Sequence, residues 1–194
     1  MSFSKKYFNF FIQSIKKLNI SEIDKVVFEL KRLRNNKGRV FFLGIGGSAA
    51  NCSHVVNDFR KICNIEAYSL TDNVSELTAR INDDGWKNSM VGYLKVSNIK
   101  SNDAVFVMSV GGGDQINNVS INIVNALKFA KKRKVKILGI VGRNGGYAAK
   151  VSKKIILVPT VSDKLVTPIT ETMQALVWHY IVFHPELKIN KTKW

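Results

Sequence analysis

Residues 40 to 58 constrain this chain more than any other stretch. They read Val40-Phe-Phe-Leu-Gly-Ile-Gly-Gly-Ser-Ala-Ala-Asn-Cys-Ser-His-Val-Val-Asn-Asp58. The opening apolar run, rich in β-formers, predicts a buried strand. Gly44, Gly46 and Gly47 then break it, and small and apolar residues resume at helical spacing. A strand, a glycine turn and a helix start together make a binding device. A turn without side chains lets a ligand approach the backbone, and the unpaired N–H groups of the helix start favour an anion such as phosphate. Ser48 adds a hydroxyl donor at that turn. The dinucleotide fingerprint is incomplete, because Asn51 stands where its third glycine belongs, so no nucleotide cofactor is expected. The plainer alternative is a tight turn of an α/β sheet with no ligand.

Four further apolar runs repeat the strand signal: Glu66 to Leu70, Ala104 to Met108, Lys136 to Val141 and Lys154 to Val158. Helical patterns separate or follow them at Asn51 to Cys63, Asn88 to Ser97, Asn117 to Lys132, Tyr147 to Val151 and Thr170 to Phe183. Strands alternating with helices predict an α/β fold, a five-stranded parallel sheet covered on both faces as a three-layer sandwich. Two amphipathic helices, Ser4 to Leu18 and Ser21 to Asn35, precede the sheet. The first carries Phe8, Phe11, Ile12 and Ile15 on one face, which suits packing on the domain or on another subunit. Linkers, repeats and low-complexity tracts are absent, so residues 1–194 are read as one domain. In an open parallel sheet ligands bind at the carboxyl ends of the strands. That rule gathers Gly44 to Ser48, Thr71-Asp72-Asn73, Ser109 to Asp114, Gly142 to Gly146 and Pro159 to Thr167 on one edge.

Thirty Lys and Arg against fourteen Asp and Glu leave a net charge of +16 over 194 residues. Such a charge draws in phosphorylated substrates. The cations are spread along the chain, and the group at Lys131 reads as the end of a helix, where positive charge complements the dipole. No aromatic-plus-basic motif for nucleic acid occurs, so nucleic acid is not an expected partner. No apolar run is long enough to span a bilayer, and Met1 to Leu18 lacks the uninterrupted apolar core of a signal peptide. A cytoplasmic protein is expected. Cys52 and Cys63 have no metal-binding or redox spacing, and Cys52 is read as a small core residue.

His54 and Asp58 lie four apart and share one helix face. Glu171 and His179 lie eight apart in the last helical segment, about two turns from each other on nearly one face. Two imidazoles and two carboxylates on two helices suit either a proton-transfer set or a nitrogen/oxygen metal site. Only three histidines exist, and the third, His184 before Pro185, reads as structural.

The segments Gly44-Ile-Gly-Gly-Ser-Ala-Ala-Asn51, His54 to Asp58 and Thr167 to His179 resemble the sugar isomerase (SIS) domain family. Within it they are most similar to the sedoheptulose 7-phosphate isomerases, also called phosphoheptose isomerases. The resemblance spans the N-terminal helices to about Leu187. It implies a single SIS domain over 1–194, with helices within 1–36 packing on the domain or a neighbouring subunit. It also implies a homotetramer whose active site forms between subunits. The implied reaction is aldose–ketose isomerisation of a seven-carbon sugar phosphate, feeding heptose for lipopolysaccharide or another surface polysaccharide. Asp58 and His179 match the positions that carry proton transfer. His54, Asp58, Glu171 and His179 match positions that bind zinc in some members. Substrate contacts are implied at Gly46, Gly47, Ser48, Asn51, Asp72, Ser109, Gly111, Gly112, Gly113 and Glu171.

Three departures stand out. The first-helix carboxylate is Asp rather than Glu, one methylene shorter. The arginine expected a turn beyond it is Ile62. The hydroxyl-rich phosphate loop after the third strand is replaced by Val110-Gly-Gly-Gly-Asp114, whose glycines can offer a backbone nest to phosphate. A non-catalytic SIS domain that binds a phosphosugar as a regulator or scaffold is therefore the competing reading. The two differ in whether substrate C–H hydrogen exchanges in heavy water.

Overall fold

A computed structural model describes residues 2–192. Helices α1 (Phe3–Lys16) and α2 (Ile20–Asn35) precede the sheet. The chain continues through β1 (Val40–Leu43), α3 (Gly47–Lys61), β2 (Ala67–Ser69), α4 (Val74–Asp84), α5 (Trp86–Val96) and β3 (Ala104–Ser109). It ends with α6 (Ile121–Lys132), β4 (Lys136–Val141), α7 (Gly146–Val151), β5 (Ile155–Leu157) and α8 (Val166–Phe183). The strands form one sheet in the order β2-β1-β3-β4-β5, and every neighbouring pair is parallel. The five-stranded parallel α/β architecture expected from the alternating pattern is the one observed.

Each strand feeds two cores because successive side chains point to opposite faces. Val40 and Phe42 join the layer of α2, α3 and α8, whereas Phe41 and Leu43 join that of α5, α6 and α7. Phe42 meets Phe59 edge-on at 5.0 Å between centroids and Phe106 at 5.1 Å. Burying one such ring contributes about 1.5–3 kcal/mol. Cys52 and Cys63 are both buried, as expected of a core cysteine at 52. Burial pushes both thiols up, that of Cys63 to about 12, so neither offers a thiolate.

At the opposite edge from the glycine turns, Asp103 fastens β1 to β3. Its carboxylate accepts from the Arg39 backbone N–H at 2.8 Å, from Arg39 Nη2 at 2.8 Å and from the Lys100 N–H at 2.8 Å. Burial pushes this carboxyl up, but the hydrogen bonds from Arg39 and Lys100 outweigh it and hold it below the usual carboxylate range.

Several boundaries differ from the sequence reading. Helix α3 begins at Gly47 rather than Asn51, because Gly46 takes φ +61° and the chain turns at once into helix. Strand β2 is shorter than Glu66 to Leu70, since Leu70–Asp72 winds into a 3₁₀ turn. Helix α4 was not expected. Asn73 caps it by accepting from the Glu76 N–H at 3.1 Å, a capping signal that lay in the sequence. Helix α6 begins at Ile121 rather than Asn117, because Asp114 and Val119 pair as an antiparallel bridge and hold that stretch out of the helix. Helix α8 begins at Val166, with Pro168 tolerated in its first turn. Phe10 and Phe11 of α1 pack against the core, but Phe8, Ile12 and Ile15 remain exposed. Among the described residues no helix is long and apolar enough to cross a membrane.

Candidate active site

Strands β1 and β3 are neighbours from which the connections run in opposite directions, so a crevice opens past their carboxyl ends. In sheets of this order that is where ligands bind. A cavity of about 1640 Å³ lies there, and Ser48, Ser109, Gly111, Gly113 and Arg143 are among its walls.

The walls are made of backbone that only glycine fits. A Cβ on Gly44 would lie 2.6 Å from the Ser48 carbonyl oxygen, so the turn folds onto its own helix. Gly112 (φ +71°) would place a Cβ 2.0 Å from the Gly145 carbonyl oxygen. Gly146 (φ +50°) would place one 2.2 Å from that of Gly111. The turns after β3 and β4 therefore pack backbone against backbone. The Ser109 hydroxyl accepts from the Gly112 N–H at 3.1 Å and shapes the first of them. Asp114, next in the chain, turns inward on its own loop. It accepts from the Asn117 side chain at 2.7 Å and from the backbone N–H groups of Asn117 and Ile116. Those bonds, with Lys150 nearby, hold its carboxyl below the usual range.

The second part of the site lies farther along α3. His54, Asp58 and His179 offer one ligand atom each, all within 4.8 Å of one another. The two imidazoles meet edge-on, with centroids 5.5 Å apart. His179 Nδ1 lies 2.7 Å from the Ala175 carbonyl oxygen, which can only accept, so Nδ1 carries the proton and Nε2 is left for chemistry. Asp58 is buried, and its Oδ1 accepts from the Asn57 amide at 2.9 Å. Both imidazoles are exposed. Trp178, within the Thr167–His179 segment, is buried against both rings, at 4.7 Å from His54 and 3.5 Å from His179. The Trp178 contact with His54, on another helix, is not legible from spacing.

Three expectations change here. Glu171 does not join the two imidazoles and Asp58. Its carboxylate lies over Gly47, where a Cβ would come within 2.4 Å of Oε2, so the four expected metal ligands stand as three. Gly47 lies about two helical turns before His54 along α3. Asn51, expected on the substrate, spends its amide on the Glu171 carbonyl at 2.9 Å and on Gln174 Oε1 at 3.2 Å, tying α3 to α8. Asp72 lies outside the cavity walls and accepts a hydrogen bond from the Ser53 hydroxyl. Arg143, outside the residues expected on the substrate, lines the cavity.

A probable phosphoheptose isomerase of Thermoplasma volcanium is 30% identical over 171 residues, covering 84% of this chain and 81% of that protein. The chain belongs to the phosphoheptose isomerase family. A phosphoheptose isomerase of Helicobacter pylori is 29% identical over 151 residues, covering 75% of this chain and 73% of that protein. The structure of phosphoheptose isomerase GmhA from Neisseria gonorrhoeae superposes with a TM-score of 0.76 at 22% identity, over 93% of this chain and 97% of that one. The fold is thus the SIS fold. No protein-family model matches the chain. In this member of the phosphoheptose isomerase family, the glycine turn after β1, His54 and Asp58 follow one another along α3, and His179 reaches them from α8.

Proposed function

We propose that this chain interconverts sedoheptulose 7-phosphate and glycero-manno-heptose 7-phosphate, as an aldose–ketose isomerase. The observation that carries the reading is the convergence of Asp58 and His179, from two helices, into one group with His54. A ketose becomes an aldose when a proton leaves C1 and one is added to the C2 oxygen, giving an enediol. A proton then adds to C2 while the O1 proton leaves. That sequence needs one group on carbon and one on oxygen. Asp58, buried and short, takes and returns the carbon proton. His179, held by Ala175 through Nδ1, moves protons at the two oxygens through Nε2.

Two imidazoles and a carboxylate are a donor set that zinc accepts. In that case, with His54, Asp58 and His179 as ligands instead of His179 Nε2 as proton carrier, zinc would supply polarisation of the sugar carbonyl. The phosphate end of the substrate sits at the glycine turns past β1 and β3. The exposed Phe8, Ile12 and Ile15 support assembly as a homotetramer that covers α1 and the open imidazoles. The enzyme works in the cytoplasm and feeds heptose into a surface polysaccharide such as lipopolysaccharide. The test is incubation with ketose phosphates in heavy water, with and without zinc, following aldose formation and deuterium entry at carbon. Binding without either would favour the regulatory reading.

A further inference from the structure

We propose that Arg143 recognises the charge of the substrate's phosphate, acting with Ser48 and the N-terminus of α3 as one anion site. The inference deepens the isomerase reading and rests on it for the identity of the ligand. Ser48 supplies the unpaired polar group that points to a ligand. It lines the cavity, is 1% exposed, and its Oγ has no hydrogen-bond partner. A buried hydroxyl left unpaired is costly, and an acceptor on a ligand would recover that cost. It stands in the first turn of the 15-residue α3, whose N-cap Gly46 provides no side-chain acceptor. The free N–H groups there favour an anion.

Arg143 lines the same cavity as that turn. Its Cδ lies 3.8 Å from where a Gly111 Cβ would be, so the stem runs along the glycine loop. Its backbone is held at φ +52°, a region costly for a residue with a side chain. Among the described residues no hydrogen bond or ion pair engages its guanidinium. The other charges on the walls are Lys150, Lys153, Asp114 and Asp163, which cancel in sum. Asp114 is in addition satisfied by its own loop and faces Lys150. Arg143 is therefore the unmatched charge. A guanidinium fork pairs with two phosphate oxygens at once, whereas a neutral sugar would leave it unused.

The test uses inorganic phosphate as the probe, titrated into the full-length protein at fixed ionic strength by calorimetry. R143Q is expected to weaken phosphate about tenfold or more. K132Q, at the far end of α6, removes the same charge elsewhere and is expected to change it less than about twofold. In turnover, R143Q raises KM for the ketose phosphate and leaves kcat near the wild-type value. Wild-type phosphate affinity in R143Q, or no phosphate binding by the wild type, overturns the proposal. Should R143Q fail to fold, R143K keeps the charge without the fork, and unchanged affinity there removes the bidentate contact. If no carbon-bound deuterium appears with any variant while phosphate binding still depends on Arg143, the isomerase reading falls and the anion site stands.

Discussion

His54 on α3 stands edge-on to His179 on α8, ring planes at 88°, and the buried Asp58 completes the group. Asp58→Asn removes the base but keeps the volume, and His179→Ala removes the oxygen-side proton carrier. Each is expected to lower turnover about 10²–10⁴-fold with the circular dichroism spectrum intact. Turnover at the wild-type rate in both variants would end the proposed chemistry.

The same three side chains predict zinc uptake. One zinc per chain is expected by equilibrium dialysis and metal analysis, and His54→Ala or His179→Ala should abolish it. Glu171→Gln, whose carboxylate lies over Gly47, should retain it. Loss of zinc in Glu171→Gln would show that Glu171 swings across to the metal.

The glycines divide by what they touch. An alanine at 47 meets only the end of the Glu171 side chain, which can swing away, so Gly47→Ala should cost less than about 1 kcal/mol while raising KM. An alanine at 112 meets the Gly145 backbone at 2.0 Å with φ +71°, and Gly112→Ala should cost about 2–5 kcal/mol. Urea midpoints of the two variants decide between them.

Asp103 sets an acid limit. Its carboxyl is held below its unfolded value, so its contribution is complete above the unfolded pKa and is lost as pH falls through the folded one. Stability should therefore drop below about pH 4. Asp103→Asn, which leaves Arg39 without its charge partner, should cost about 3 kcal/mol at pH 7 and flatten that drop. Thermal melts from pH 3 to 7 provide the check.

Much of this was written in local pattern. The apolar runs at Val40 and Ala104 announced strands because a buried parallel strand has no polar face to show. Gly44 to Ser48 announced a binding turn because only glycine allows that backbone. The spacing of His54 and Asp58 put both on one face because the helical period is fixed. The start of helix α4 is legible in Asn73 and Glu76, whose capping contact is local. The start of α6 was not legible, because the Asp114–Val119 bridge that delays it is a pairing rather than a propensity.

The chain's order of strands and helices, the glycine turns and the pairing of His54 with Asp58 on α3 were determined by sequence alone, since each depends on neighbours a few residues away. Tertiary structure alone decided that His179 meets His54 while Glu171 turns to Gly47, that Asn51 is spent on α8, and that Arg143 and Ser48 line one cavity. Those outcomes depend on how α8 and the β4 turn dock against α3, and docking is fixed by the shape of two whole cores rather than by any local run of residues.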